Sequence, residues 1–161
     1  MTVPYFANML TNMAHLLTKT EAWATERKID PAVLLNDRLT PDMFTMKRQV
    51  QIATDHAKGA AARLGGVENP SFPDTEETFA ELQARIVKVR DFILSVPEAG
   101  FDGSEDRDIT LKVGPEQMTF PGSQYLQGFA IPNFYFHMTT AYAILRHNGV
   151  PLGKGDFFGR S

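Results

Sequence analysis

The sequence contains no cysteine among its 161 residues. It therefore cannot form disulfides or offer thiolate ligands, so any bound metal has to use histidine and carboxylate side chains. Neither sign of charge is in large excess, because the formal net charge is only −3. A chain of this kind lacks the basic footprint of nucleic-acid-binding proteins. We therefore expect no nucleic-acid partner.

Long apolar runs are also missing, since no stretch approaches the ~20 apolar residues that a membrane span needs. The N-terminal segment MTVPYFANMLTNMAHLL has no basic start, and Asn8 and Asn12 interrupt its apolar residues. It does not resemble a signal peptide. These features predict a cytoplasmic protein without a membrane partner. The sequence also lacks a Ser/His/Asp triad spacing, a phosphate-cradling glycine loop and a nucleotide fingerprint.

The composition is that of an ordinary globular protein, with 43% hydrophobic and 22% charged residues. A chain of this length suits one domain with a sizeable core, so we predict a single domain over residues 1–161. Four segments carry apolar residues at three- and four-residue spacing, which is typical of amphipathic helices. The pattern predicts an all-α fold, a four-helix bundle.

The first predicted helix covers residues 4–26. A single capped turn follows at 31–35, with Asp30 as its N-cap. The second helix opens at Thr40, with a proline and an aspartate next, and ends near Leu64 before two glycines. Its second half, AKGAAARLGG, is unusually small, which allows either close helix packing or a pocket.

The third helix is predicted to begin with a capping box formed by Asp74 and Glu77 and to end at Pro97. Its apolar residues follow a bundle seam: Phe79, Leu82, Ile86, Val89, Ile93 and Val96. Alternating apolar and polar residues over 109–120, around a Gly-Pro pair, then predict a short β-hairpin between the third and fourth helices.

The fourth helix is predicted to begin near Ser123 and to contain the most apolar long segment, residues 131–149. Pro132 cannot bond the carbonyl of Gly128, so we predict a kink between them. His137 lies in the middle of a wide apolar stripe and should be buried. A buried imidazole needs partners, which are either a backbone carbonyl or tyrosine hydroxyl, or a metal.

Two segments carry a resemblance to a known family: RLTPDMFTMKRQVQIATDHAKGAAARLGG and IPNFYFHMTTAYAILRHNGVPLGK. Together with the order of three helices, a hairpin and a fourth helix, they resemble the DinB/YfiT-like four-helix-bundle superfamily. Within it, the chain is most similar to an uncharacterised domain-of-unknown-function branch. The resemblance covers nearly the whole chain and implies a DinB-like up-down-down-up bundle.

The resemblance also implies a possible site. Better-known relatives bind a divalent metal, such as zinc or nickel, through three histidines, and some are thiol-dependent transferases or isomerases. His56 matches the ligand on the second helix and His137 the first ligand on the fourth, but the third position is Ala141, which cannot ligate. Asn133 and Tyr142 lie nearby as pocket candidates, and neither is a typical third ligand.

Two classes of function therefore stay open, and the sequence does not decide whether the protein is an enzyme. One is a non-catalytic bundle, a small-molecule binder or stress-linked dimer, in which the histidines are structural and a pocket is floored by Ala57, Ala60 and Ala141. The other is a metal-dependent enzyme using His56 and His137. A homodimer is expected, because Phe44, Tyr135 and Phe136 lie outside the main apolar stripes. Phe157 and Phe158 should anchor an irregular C-terminal tail.

Overall fold

Residues 3–160, which the computed structural model describes, form seven α-helices and one β-hairpin. Met1, Thr2 and Ser161, part of the predicted domain 1–161, lie outside the described residues. The helices are α1 Val3–Glu26, α2 Pro31–Asn36, α3 Met46–Gly65, α4 Phe79–Ser95, α5 Gly122–Tyr125, α6 Ile131–His147 and α7 Lys154–Phe157. A 3-10 turn covers Glu98–Phe101, the strands are β1 Asp108–Val113 and β2 Glu116–Pro121, and a π-helical turn covers Leu126–Ala130.

The four long helices α1, α3, α4 and α6 form the predicted four-helix bundle. Helix α3 packs against both α4 and α6, while α1 packs mainly against α4. Their apolar stripes meet in one continuous core, which also takes in Ile109 and Leu111 from the hairpin. Helix α3 thus connects α4 to α6 within the bundle.

The hairpin lies between α4 and α6, as predicted. Its strands pair antiparallel, with Ile109 opposite Phe120 and Val113 opposite Glu116. The two-residue turn begins with Gly114, whose φ of 61° is unfavourable for other residue types. Ile109 and Leu111 are buried, whereas Asp108, Thr110 and Lys112, which alternate with them, are exposed. One face of the hairpin therefore covers the bundle.

The second long helix begins later than predicted. The segment at Thr40 forms a turn closed by the Met43 N–H donating to the Thr40 carbonyl, and the Thr40 hydroxyl bonds Asp42 instead of a helix terminus. Helix α3 therefore starts only at Met46. Its predicted end is confirmed, because Gly66 adopts φ 65° and caps the helix.

The predicted cap of α4 was placed one turn too early. The observed capping box uses Thr78, which accepts from the Glu81 N–H at 3.2 Å, while the Glu81 carboxylate accepts from the Thr78 N–H at 3.0 Å. Asp74 and Glu77 have the same spacing, but they pair with Arg48 and Lys47 of α3. Those distant cations draw the acidic pair away from the helix terminus.

The π-helical turn occupies the place of the predicted kink. Pro132 lacks an N–H, and the Ile131 N–H bonds the Leu126 carbonyl five residues earlier, in the wider π pattern. The amide of Asn133 donates to the Phe129 carbonyl at 2.8 Å. The Asn133 side chain thus adds a hydrogen bond to the backbone one residue beyond the Gly128 carbonyl that Pro132 leaves without an α-helical donor.

The C-terminal tail is more regular than predicted, because it includes α7. Lys19 of α1 pairs with Asp156 at 2.5 Å, and the Asn12 amide donates to the Phe157 carbonyl at 3.2 Å. Phe157 is half-buried and anchors the tail as expected, whereas Phe158 is exposed. Polar contacts with α1 therefore share in holding the tail.

Candidate functional site

His137 is buried on the inner face of α6, with 9% of its surface exposed. Its Nδ1 lies 2.6 Å from Oε1 of Gln49 on α3. The Gln49 amide nitrogen donates to the Phe44 carbonyl at 3.2 Å, which leaves Oε1 as an acceptor and requires His137 Nδ1 to donate. The predicted burial and hydrogen bonding are confirmed, with an amide as partner instead of a carbonyl or a tyrosine.

His56 stands beside His137 on the neighbouring helix. The two rings are nearly parallel, with centroids 5.8 Å apart and an interplanar angle of 11°. The ring of Phe129 packs edge-on against His56 at 5.6 Å. The structure thus brings the two sequence-predicted histidines together at the contact between α3 and α6.

Both imidazoles are held neutral at physiological pH. Burial, followed by repulsion from His137 once that ring is protonated and by the charge of Arg63, lowers the pKa of His56 to about 4. Burial, together with the nearby Arg48 guanidinium, also lowers the pKa of His137. A neutral imidazole has one donor and one acceptor nitrogen, so His56 can hydrogen-bond a ligand without carrying a charge.

The residues at this point do not fit a resident divalent metal. The third position that the resemblance implies is Ala141, which is fully buried and offers no donor atom. Within residues 3–160, no group of three or more histidines and carboxylates is placed to hold a metal ion. Two histidines fall short of the three protein ligands of a catalytic zinc site.

The other pocket candidates are placed elsewhere. Asn133 uses its amide to bond the Phe129 carbonyl of its own helix. Tyr142 is half-buried and packs edge-on against Phe157 of the tail, with ring centroids 5.7 Å apart. Neither residue lines the cleft beside His56.

A cleft of about 510 Å³ opens beside His56, bounded by α3, the segment after it, β1 and the π-helical turn. Its polar lining residues are Asp55, His56, Lys58, Arg63, Asn69, Ser71 and Lys112. Its apolar lining residues are Phe72, Leu111 and Phe129. Ligand pockets in proteins commonly have this volume, but this cleft has more polar than apolar lining residues, which favours a polar or charged ligand.

A second cavity, of about 320 Å³, is mainly apolar and lies near the start of α1. Ala60 lines it, but Ala57 and Ala141, which were expected to share the floor of a pocket, are packed in the core. Phe6 and Leu64 form part of its walls. The small residues of α3 therefore serve mostly close helix packing, with Ala60 beside open space.

A cluster of charges around Arg85, which shares Asp55 with the lining of the cleft, was not predicted from the sequence. Arg85 of α4 is 3% exposed, and its guanidinium reaches Asp55 at 2.9 Å, Asp74 at 3.1 Å and Glu76 at 3.2 Å. Its Nε also donates to the Thr54 hydroxyl at 2.7 Å. A signal was present, since Arg85 follows Leu82 by three residues and precedes Val89 by four, which places it on the buried face.

This cluster fastens the segment between α3 and α4. Arg85 also donates to the Pro73 carbonyl, and Lys58 donates to the Pro70 carbonyl at 2.6 Å. The ring of Phe72 lies between two ammonium groups, with Lys58 at 4.7 Å and Lys88 at 4.0 Å from its centroid. The wall of the cleft formed by this segment is therefore held in place before any ligand arrives.

In the part of the chain that the structure describes, no helix combines the length and apolar character that crossing a membrane requires. No curated protein matches the chain. Among solved structures, a DinB family member protein from Shewanella denitrificans is similar, with a TM-score of 0.88 and 43% sequence identity. The match covers 98% of this chain and 89% of that one.

The comparison supports the resemblance seen in the sequence at the level of fold and family. The solved relative is itself a DinB family member, so the bundle with a hairpin before its last long helix is the DinB architecture. A family model described as domain of unknown function (DUF1993) matches residues 1–158. The chain therefore belongs to the DUF1993 family.

Proposed function

We propose that this protein is a small-molecule-binding bundle whose ligand site is the cleft beside His56. The observation that supports this most is the convergence of a neutral imidazole, the Arg63 guanidinium and apolar rings in one opening of about 510 Å³. Convergent polar groups with a perturbed pKa in a concave site are the usual signature of a ligand site. Catalysis is not needed to account for these features.

The proposal is tested with two matched tryptophan variants. Ser71→Trp fills the cleft, whereas Ser95→Trp adds the same ring at an exposed residue at the end of α4. Benzamide, benzoate and phenyl phosphate are titrated at millimolar concentration while the His56 ring protons are followed by NMR. We expect saturable shifts in the wild type and Ser95→Trp and none in Ser71→Trp. Absence of saturable shifts with all three probes in the wild type would overturn the proposal.

We also propose that the protein is a cytoplasmic homodimer. The side chains of Phe44 and Phe136 are 55% and 57% exposed. The Phe44 carbonyl accepts from Gln49, and the Phe136 ring meets the edge of the His137 ring at 5.1 Å. Both residues therefore lie near the Gln49–His137 bond, and exposed aromatic side chains are common at interfaces between copies. A two-fold axis is the commonest way for two copies to cover one patch.

Sedimentation at micromolar concentration tests the dimer. The wild type should sediment at twice the 18.0 kDa chain mass, and Phe136→Asp should sediment as the single chain. Leu94→Asp, at a residue 56% exposed on α4, is the matched control and should leave the dimer intact. A wild type that sediments only as the 18.0 kDa species would contradict the proposal.

A divalent-metal-dependent enzyme of the thiol transferase or isomerase type, with zinc or nickel at His56 and His137, is the alternative. The close approach of the two rings favours it, but the missing third ligand weighs against it. Elemental analysis of the purified protein, without a histidine tag or added metal, separates the two. One equivalent of zinc or nickel per chain would favour the enzyme.

A further inference from the structure

The structure assigns an oxyanion subsite to Arg63 and Asn69, and we propose that the ligand of the cleft carries a carboxylate or phosphate group next to an apolar body. This inference rests on the proposed binding function and deepens it. Both residues line the cleft. Nitrogen donors that converge in a partly enclosed site are the usual way in which proteins hold such anions.

Among residues 3–160, the guanidinium of Arg63 forms no salt bridge with a carboxylate. Its Nη1 donates to the hydroxyl of Tyr125 at 3.1 Å, and its Cζ lies 5.8 Å from the centroid of the same ring. Tyr125 is fully buried, and burial raises the pKa of its phenol. A half-buried cation that contacts a neutral phenol keeps its charge available for an anion entering the cleft.

The other charged groups of the cleft are already matched or lie at its rim. Lys58 pairs with Asp55 at 3.3 Å and also bonds the Pro70 carbonyl. Asp55 in turn pairs with Arg85, so its carboxylate is not left to repel an anion. Lys112, exposed on β1, adds positive charge at the entrance. The uncompensated charge inside the cleft is therefore that of Arg63.

Gly59 leaves room for the guanidinium of Arg63, because it has no side chain. A Cβ built on Gly59 would overlap Nη1 of Arg63 and lie 3.7 Å from Nδ2 of Asn69. The two nitrogen donors thus meet above the bare backbone of α3. Glycine inside a helix is less favourable than alanine by about 1 kcal/mol, and the room that it gives to Arg63 accounts for its presence here.

Gly59→Ala separates this role from a structural one. The atom that the new methyl group meets is the far end of a flexible side chain, so the helix can accept it while the guanidinium moves. Helix propensity favours alanine. We therefore expect the variant to be as stable as the wild type or more so, and to bind anions less well.

The experiment is calorimetric titration of the full chain with four probes of similar size. Benzoate and phenyl phosphate carry the two oxyanions, benzamide is the neutral match, and benzylammonium is the cation. The variants are Arg63→Gln, Gly59→Ala and Arg90→Gln, the last a matched charge removal on α4 outside the cleft.

The wild type should prefer both anions to benzamide and should not bind benzylammonium, and higher salt should weaken anion binding. Arg63→Gln should weaken anion binding by about tenfold or more, since a charge-assisted hydrogen bond is lost. Gly59→Ala should weaken it in the same direction, and Arg90→Gln should not change it. A preference between benzoate and phenyl phosphate identifies which oxyanion the subsite suits.

Two other results would overturn the inference in distinguishable ways. If benzamide binds as tightly as benzoate, and Arg63→Gln changes neither, the cleft binds ligands but has no oxyanion subsite. If no probe binds to the wild type, the proposed binding function fails, and the subsite falls with it.

Discussion

Arg85 of α4 and Arg63 of α3 differ in one respect, the supply of acidic partners. Arg85 is buried among Asp55, Asp74 and Glu76, and every part of its guanidinium has a partner. Arg63 is half-buried and bonds a neutral tyrosine hydroxyl. The first arrangement is complete within the chain, whereas the second leaves a charge that the proposed ligand would match.

The difference separates charges that stabilise the fold from charges that can bind a ligand. Ion pairs around a buried cation offset its desolvation and fix the groups that it touches. A half-buried cation that bonds a neutral hydroxyl contributes less to stability, and its charge stays available for a ligand. In order of expected effect, the following changes test the two arginines and the two histidines.

The largest effect is expected from removing Arg85. Arg85→Ala leaves buried acidic groups without their partner, so it should lower the free energy of unfolding by about 3–5 kcal/mol. Arg63→Ala leaves only a neutral hydroxyl unpaired and should cost about 1–2 kcal/mol. Urea unfolding at pH 7 measures both. Equal losses for the two variants would mean that the two arginines contribute equally to the free energy of unfolding, in spite of their different partners.

The matched control for Arg85→Ala is Arg90→Ala on the same helix. Arg90 pairs only with the exposed Asp91, at 3.5 Å. A surface pair of this kind contributes roughly 0–1 kcal/mol. A control that loses as much as Arg85→Ala would attribute the effect to α4 as a whole instead of to the buried cluster.

The two histidines should make the free energy of unfolding sensitive to acid. Unfolded histidine has a pKa near 6.5, and the folded pKa of His56 is about 4, so between these values the unfolded chain binds the extra proton. Stability is therefore complete above pH 6.5 and decreases as the pH falls towards 4, by roughly 3 kcal/mol for this group. His137, whose pKa is also lowered, adds a loss of the same sign.

Urea unfolding of wild type and His56→Gln at pH 7 and pH 5 measures this effect. The variant should lose less stability than the wild type over this interval. His147→Gln, at an exposed residue at the end of α6, is the control and should follow the wild type. If His56→Gln loses as much stability as the wild type between pH 7 and pH 5, the acid sensitivity comes from other residues.

Removing the partner of Gln49 should have a moderate effect. His137→Ala leaves Oε1 of Gln49 without its donor inside the bundle, which should cost about 1–3 kcal/mol. A double-mutant cycle with Gln49→Ala isolates the coupling of the pair. Additive losses would show that the short contact between the two side chains contributes little.

The smallest effect is expected from a strong chelator, because the helices share a large apolar core and residues 3–160 contain no group of three possible metal ligands. Its thermal midpoint should move by no more than a few degrees, where ~1 kcal/mol corresponds to roughly 2–4 °C at this size. A large loss that one equivalent of zinc or nickel restores would show that a third ligand completes the site. That result would also reverse the preference for a binding function over an enzyme.

Local patterns in the sequence were enough for most of the fold. The seam of α4 and the glycine end of α3 depend on neighbours within a few residues, and both were predicted correctly. The cap of α4 was not, because Asp74–Glu77 and Thr78–Glu81 have the same spacing. The choice between them depends on Arg48, which lies 26 residues from Asp74.

The candidate site was only partly predictable for the same reason. The apolar stripe on α6 was sufficient to place His137 inside, but its partner Gln49 is 88 residues away in the chain. The role of Arg85 depends on Asp55, 30 residues away. Gly59 gave no signal at all, since its meaning depends on where the Arg63 side chain folds back.

The π-helical turn Leu126–Ala130 sets the angular phase between two parts of the molecule. Tyr125, the partner of Arg63, precedes the turn, and His137 follows it. Because a π turn takes up one surplus residue, the chain on either side of it keeps the angular relation of a shorter, uninterrupted α-helix. If the same residues formed a continuous α-helix instead, Tyr125 would rotate by about 100° around the axis relative to His137. The π turn therefore fixes the orientation of Tyr125, and with it the place of the Arg63 guanidinium at the cleft.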